Sequence, residues 1–443
     1  MDRTRAWYER FARQEAAGRS PLYVAWAEGV AADDEVLALL GELPPEKRQP
    51  NLLFACARWC GADDGMRDRA RPATNVGAVD VAGAVAGALA GGGVGVGTGA
   101  GTRPAATGEG TDIRGTSYAS FRQFVLSNWS RVSDEMRVRS TQTNEPGRTA
   151  SILPVLAQID AAEGPLALIE VGASAGLCLY PDRYSYRFAR ASGVRNLDED
   201  FGALKLDPAD GAWRLDPDGG PSPVVLETAV TAVPAHRAEA PVGAAGVDEH
   251  AGDAPELTGR AGGEAARDAA EAVRVTRALP SRMPRIAWRA GIDLAPLDAR
   301  DAEHMRWFLT LLWPEETERR SRIEAALEIV RRDPPLLVAG DAVDDLAALV
   351  ARAPAGTTPV VVTAGVLAYL SPARREQFAR EVRRLGVRWI SNEGERVLPA
   401  VAERLARVEG TGAAASEPGR FVVALDGEPI AVAGAHGQWL RFL

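Results

Sequence analysis

Residues 168–177 read LIEVGASAGL, and this stretch constrains the fold more than any other part of the chain. An apolar run from Leu166 to Val171 stops at three small residues, Gly172, Ser174 and Gly176, with Glu170 just before the turn. The pattern predicts a buried parallel strand that breaks into a glycine-rich turn and opens a helix. Doubly wound α/β folds approach a nucleoside-bearing cofactor in this way. The glycines matter because any Cβ would hold the backbone away from a ligand. Glu170 crowds the place of a pyrophosphate and suits a cofactor with an amino group or a sulfonium cation. S-adenosylmethionine carries both. The competing reading is a tight strand–helix turn that binds nothing.

Length and composition narrow the class. With 443 residues the chain can form two domains, and its 46% hydrophobic share supplies a packed core. Net charge is −9, the only lysines are Lys47 and Lys205, and no dense Lys/Arg block exists. An acidic chain without a basic stripe is not expected to act on nucleic acid. Cys56, Cys60 and Cys178 give no disulfide framework, and four histidines are too few for a convincing zinc site. The N-terminus MDRTRAWYERFARQ is charged and amphipathic, unlike a signal peptide. Val76–Gly101 lacks the bulky residues of a membrane span. These features lead us to expect a cytoplasmic protein with no membrane partner.

Along the chain, residues 1–150 read as a helical N-terminal region and 151–443 as the α/β domain. Trp7, Tyr8 and Phe11 recur at helical spacing, and Ser20-Pro21 predicts an N-cap with proline at the first helical position. Asn51–Trp59 predicts another apolar helix. Ser117–Arg139 predicts one with Phe121, Phe124, Val125, Trp129, Val132 and Met136 on one face. Two low-complexity stretches, 62–115 and about 234–284, bury too little apolar area to offset their ordering entropy and read as disordered insertions. From residue 286 strands and helices alternate. Strands are expected to end at Asp293, at Gly340-Asp341, at Thr363 and at Ser391. Asp426-Gly427 between apolar runs predicts a hairpin.

In this order the pieces resemble a class I S-adenosylmethionine-dependent methyltransferase, with a Rossmann-like sheet closed by a C-terminal antiparallel hairpin. The resemblance implies roles. Gly172, Ser174 and Gly176 would form the turn under the methionine moiety, and Glu170 would face its ammonium group. Asp293 would accept hydrogen bonds from the ribose hydroxyls. Asp341 would flank adenine, and Thr363 to Leu367 would line the floor near the reacting methyl. Asp293 or Asp341 taken alone reads equally as a helix cap, and Asp298 and Asp301 compete for that duty. Asp293 also lies far downstream of the turn, whereas dinucleotide folds place the ribose acid about 20 residues on. The intervening DRYSYRF and PVVLETAV look like added strands.

EVGASAGLCLYPDRYSY, QTNEPGR, IDLAPLDARD with WPEE, VLAYL, WISNEG and HGQWL together resemble the bacterial family known as domain of unknown function 2332. That resemblance carries no activity with it. In the family pattern asparagine is usual where Cys178 stands, and histidine often ends the strand where Thr363 stands. Asn144, Glu145 and Arg148 lie in a turn-rich break where a lid would fold over a cofactor, or where a Glu–Arg pair would form a clamp. Glu393, with Asn392, follows the fifth strand and is the candidate general base. The function expected is methyl transfer to a small molecule or a protein group. A non-catalytic nucleoside- or partner-binding protein is the alternative from another class. A serine hydrolase on Ser174 is a further one, because Gly172-Ala-Ser-Ala-Gly176 matches nucleophile-elbow spacing and His304 and His436 lie downstream. A nicotinamide-dependent oxidoreductase is weaker, since the turn lacks G-x-G-x-x-G.

Overall fold

The computed structural model describes residues 2–62, 113–142, 144–190, 213–232, 278–410 and 419–443. Most of both stretches read as insertions, 63–112 and 234–277, lies outside the described residues. The chain divides into two compact units, Met1–Thr141 with Trp307–Thr317, and Gln142–Arg306 with Glu318–Leu443. The division falls at Thr141 rather than at 150.

The first unit is helical. Its helices are α1 (Asp2–Arg10), α2 (Pro21–Ala32), α3 (Asp34–Gly41), α4 (Pro50–Cys60), α5 (Ile113–Ser127) and α6 (Trp129–Val138). Ser20 caps α2 as expected: its hydroxyl accepts the Tyr23 N–H at 3.0 Å, and Pro21 supplies a preset φ at the first position. The helix expected over 117–139 is broken at Asn128, whose backbone leaves helical geometry at φ −125° and ψ 18°. Tyr8, Phe11, Tyr23, Trp26, Phe54 and Phe121 form one aromatic core. Trp26 stacks on Phe121 with ring centroids 4.2 Å apart. Trp313 packs on Phe11 and Tyr23, which explains why the distant segment 307–317 belongs to this unit.

The second unit is mixed α/β, built on a large, mostly parallel sheet. Its strands are β1 (Leu166–Val171), β2 (Ser185–Arg190), β3 (Trp213–Leu215), β4 (Val225–Ala232), β5 (Ile286–Asp293) and β6 (Leu336–Ala339). They continue with β7 (Thr358–Ala364), β8 (Arg388–Gly394), β9 (Arg420–Leu425), β10 (Glu428–Gly434) and β11 (Trp439–Phe442). Their spatial order is β3-β2-β4-β11-β10-β9-β8-β7-β1-β5-β6. The stretch β6-β5-β1-β7-β8 is parallel throughout. Strand order reverses at β1: β5 and β6 build outward on one side, β7 and β8 on the other. Crevices at the carboxyl edge of such a reversal are where open α/β sheets bind ligands.

Helix α7 (Thr149–Glu163) precedes β1, and α8 (Ala302–Thr310) and α9 (Thr317–Arg332) separate β5 from β6. Helices α10 (Leu346–Val350), α11 (Pro372–Leu385) and α12 (Pro399–Glu409) follow β6, β7 and β8. On one face, Ile169, Val171, Ile292, Val361 and Trp389 pack against Leu346 of α10 and Phe378 and Val382 of α11.

Three expectations change here. The turn after β1 opens no α-helix; one-turn 3₁₀ segments at Leu177–Leu179 and Pro181–Arg183 lead directly into β2. Asn392 and Glu393 lie inside β8, not beyond it, because the antiparallel pairing with β9 extends the strand to Gly394. The Asp426-Gly427 hairpin forms, with both residues at positive φ (52° and 88°), but it does not end the sheet. β11 pairs parallel with β4, so the strands added after the glycine turn extend the far side of the sheet. Among the described residues no helix is long and apolar enough to cross a membrane.

Candidate functional site

The carboxyl edge of β1, β5, β7 and β8 concentrates buried polar groups. Glu170, Ser174, Thr363, Asn392 and Glu393 are each at most 3% exposed. Glu170 Oε2, Ser174 Oγ, both amide atoms of Asn392 and Glu393 Oε2 have no hydrogen-bond partner. Buried polar atoms are almost always paired, and an unpaired one costs about 1–3 kcal/mol. Their gathering at one strand edge makes this edge the candidate site.

Glu170 stands at the foot of the turn. Its Oε1 accepts the Asn144 Nδ2 hydrogen bond at 3.4 Å. Burial pushes its carboxyl up to about 8, against smaller opposing effects of Cys178, Arg148 and Asn144. The turn itself is tightly laced. Gly172 N and Ala173 N donate to Ile292 O, Gly176 N to Ala173 O, and Leu177 N to Asn144 Oδ1 at 2.5 Å. A Cβ on Gly172 would lie 2.5 Å from Val366 Cγ2, so the turns after β1 and β7 touch only because that residue is glycine. Ser174 takes the middle position at φ 49°, a conformation that favours glycine. Ser174→Gly is therefore expected to leave stability unchanged or raise it by up to about 1 kcal/mol, read from urea unfolding. A clear loss would mean that the hydroxyl holds the fold.

Asp293 ends β5 beside this turn. Its Oδ2 accepts Ser174 N and its Oδ1 accepts Ala295 N, both at 2.9 Å, while Gln142 Nε2 lies 3.5 Å from Oδ1. Oδ1 thus takes two donors, while Oδ2 keeps a lone pair for another. Asp341, after β6, is more fully committed. It accepts Val343 N and Asp344 N and pairs with Arg374. Burial alone would raise its carboxyl, but these N–H bonds and the guanidinium hold it below the usual value. Thr363 faces α11, and its hydroxyl accepts the Trp389 Nε1 hydrogen bond at 3.2 Å.

Neighbouring residues on a strand project to opposite faces, so Asn392 and Glu393 part. In register Asn392 lies opposite Ala364, on the face that Glu170 shares; Glu393 joins Thr363 on the other. Glu393 Oε1 accepts Val366 N at 3.1 Å and Leu367 N at 3.2 Å, clasping the turn after β7. Burial pushes its carboxyl up to about 7 despite those bonds.

Asn144, Glu145 and Arg148 form a buried strap rather than an open lid, at 2%, 0% and 9% exposure. Glu145 pairs with Arg319 at 2.7 Å and Arg322 at 3.4 Å, and its Oε1 accepts Gly147 N at 3.1 Å. Burial would raise this carboxyl, but Arg319, Arg322, His436 and the Gly147 N–H together hold it low. Arg148 donates to Ala364 O at 2.7 Å and Ala435 O at 3.2 Å, and its charge is felt by both Glu170 and Glu393. A Cβ on Gly147 would overlap the His436 carbonyl oxygen, so the strap and the β10–β11 turn meet backbone to backbone.

All the sequence-derived candidates thus lie at this edge or in the strap, but Asp341 and Thr363 spend their polar groups on structural partners. Sequence reading missed Arg319, Arg322 and Gln142. Nothing distinguishes these side chains from their neighbours until the chain folds back. Among the described residues no group of three His, Cys, Asp or Glu could hold a metal ion.

A model of the family described as "Uncharacterized protein conserved in bacteria (DUF2332)" matches residues 5–71, 103–265 and 254–442. No curated protein and no solved structure matches the chain.

Proposed function

We propose that this chain, which belongs to the bacterial DUF2332 family, binds S-adenosylmethionine at the turn after β1 and methylates a small molecule or protein group. One observation carries the reading. A buried carboxyl group with an unpaired oxygen, Glu170, stands at the strand-order reversal, at the foot of a glycine turn. The order β6-β5-β1-β7-β8 and an acid ending β5 agree with a Rossmann-like methyltransferase sheet. When bound, the cofactor supplies an electrophilic methyl on a sulfonium.

The chain's own residues divide the remaining work. Glu170 faces an ammonium group, whose charge draws off the proton that burial keeps on its carboxyl, and Asp293 takes a ribose hydroxyl with the spare lone pair of its Oδ2. Asp341, tied to its own turn and Arg374, shapes the wall that flanks adenine. Thr363 fixes the end of β7 through Trp389. Glu393 is positioned to accept a proton, and Asn392 to orient a polar group. Much of the catalysis in such a site comes from alignment.

The rival chemistries find less support. The N–H groups of Gly172, Ala173, Ser174, Gly176 and Leu177 are spent within the protein, and only one-turn 3₁₀ segments follow in place of an α-helix, which disfavours a pyrophosphate-bearing nicotinamide cofactor. Ser174 Oγ has no partner, so no base bonds it, and the helix of a nucleophile elbow is absent behind it. A non-catalytic nucleoside- or partner-binding protein is favoured by one observation: Thr363, at the end of β7, accepts the Trp389 Nε1 hydrogen bond with its hydroxyl and supplies no base at that position. Three cysteines, all free and buried, suit the reducing cytoplasm, which is the compartment we propose.

Calorimetric titration tests the reading. S-adenosylhomocysteine and S-adenosylmethionine are expected to bind and NAD not to. Asp293→Ala should weaken both by tenfold or more, about 1.4 kcal/mol. Absence of binding by either sulfur ligand to the intact protein refutes the proposal. Binding without any methyl transfer favours the non-catalytic reading.

A further inference from the structure

Glu393 and Glu170 belong to different parts of the edge. Asp293 acts on Glu170, on the side assigned to the cofactor, while Glu393 lies beside Thr363, Val366 and Leu367. The guanidinium of Arg148 affects both carboxylates, yet it spends its hydrogen bonds on the carbonyls of Ala364 and Ala435. Glu393 is therefore left with one oxygen clasping a turn and the other unpaired and sealed from water. We propose that Glu393 is the recognition point for a protonated amine on the substrate, which enters when the turn Gly365–Leu370 swings outward.

The chemistry selects the ligand class. An anionic group brought to an unpaired carboxylate would be repelled, and an apolar one would leave it unpaired. An ammonium gives it a charge-assisted hydrogen bond and neutralises it. On passing one proton to Glu393, the amine nitrogen regains the lone pair a nucleophile needs, so one contact serves recognition and activation.

The two ends of the turn are held by different contacts. Gly365 opens it at φ 71°, and Tyr369 at its far side is 77% exposed. Glu393 Oε1 holds Val366 N and Leu367 N, and Val366 packs on Gly172. Arg375 fixes the other end through Leu367 O at 2.8 Å and Ala368 O at 3.1 Å. An incoming ammonium competes for the carboxylate that forms the latch.

The role as methyl acceptor rests on the methyltransferase reading; the amine site itself is measurable without it. The probes are benzylamine, benzyl alcohol and benzoate, titrated calorimetrically into the full-length protein, with S-adenosylhomocysteine titrated separately. Benzylamine should bind at least tenfold more tightly than either analogue, and Glu393→Gln should lose at least that factor. Hydrogen exchange at the Val366 and Leu367 amides should speed up when benzylamine binds the unmodified protein. No benzylamine binding, benzoate binding as tightly, unchanged affinity in Glu393→Gln, or unaltered exchange each overturns the inference. S-adenosylhomocysteine binding without benzylamine binding removes the amine site alone. The reverse result removes the cofactor reading alone.

Discussion

Glu145→Ala is expected to destabilise the sheet-containing unit by about 3–5 kcal/mol, the cost of leaving a buried charge without its partner. Glu145 is fully buried, and it neutralises Arg319, itself only 14% exposed, at 2.7 Å. The substitution also strips the acceptor from Gly147 N, at the start of the turn that carries Arg148. For a unit of this size the loss should lower the melting temperature by roughly 6–20 °C, read by circular dichroism. Glu145→Gln should cost less, because its amide oxygen still accepts the Gly147 N–H. A loss under about 1 kcal/mol in Glu145→Ala would show that Arg319 finds water or another partner, and that the clamp is not structural.

Glu170→Gln is expected to produce the largest pH effect. Burial raises the Glu170 carboxyl from its ordinary 4.5 to about 8, so the folded protein keeps a proton that the unfolded chain releases. The contribution is therefore fully present below pH 4.5 and is lost as pH rises through about 8. Across that window each pH unit removes about 1.4 kcal/mol from the parent protein. Glutamine keeps an oxygen for Asn144 Nδ2 and cannot ionise. The two proteins should match near pH 4, and the variant should then pull ahead until the curves run parallel above pH 8. Glu393 titrates in the same sense, up to about 7, but in both proteins, so it cancels from the difference. Urea midpoints that track each other across the whole range would exclude a buried, protonated Glu170.

The elements set by local chemistry were legible. Ser20-Pro21 forms its cap because hydroxyl and N–H are three residues apart. Asp426-Gly427 turns because both residues tolerate positive φ. The apolar runs became parallel strands with Glu170, Asp293 and Thr363 at or next to their ends. The helix expected after Gly176 did not form, since Leu177 N is taken by Asn144 Oδ1 and the chain is led at once into β2. That contact spans 33 residues, and no local window contains it. The extension of β8 through Glu393 likewise depends on β9, a strand far along the chain.

By itself the sequence determined which residues could be buried in strands, where glycine or serine could turn the backbone, and which carboxylates would stand at strand ends. Periodicity and backbone sterics act over a few residues, so a local reading reaches them. Only the tertiary structure decided which carboxylates keep an unpaired oxygen. Asp341 spends its charge on Arg374 and two N–H groups, whereas Glu170 and Glu393 each retain a free acceptor. It also turned the Asn144–Arg148 break into a buried strap, by bringing Arg319 and Arg322 to Glu145. The reason is that desolvation and pairing depend on neighbours brought from far along the chain, and these exist only once the chain has folded.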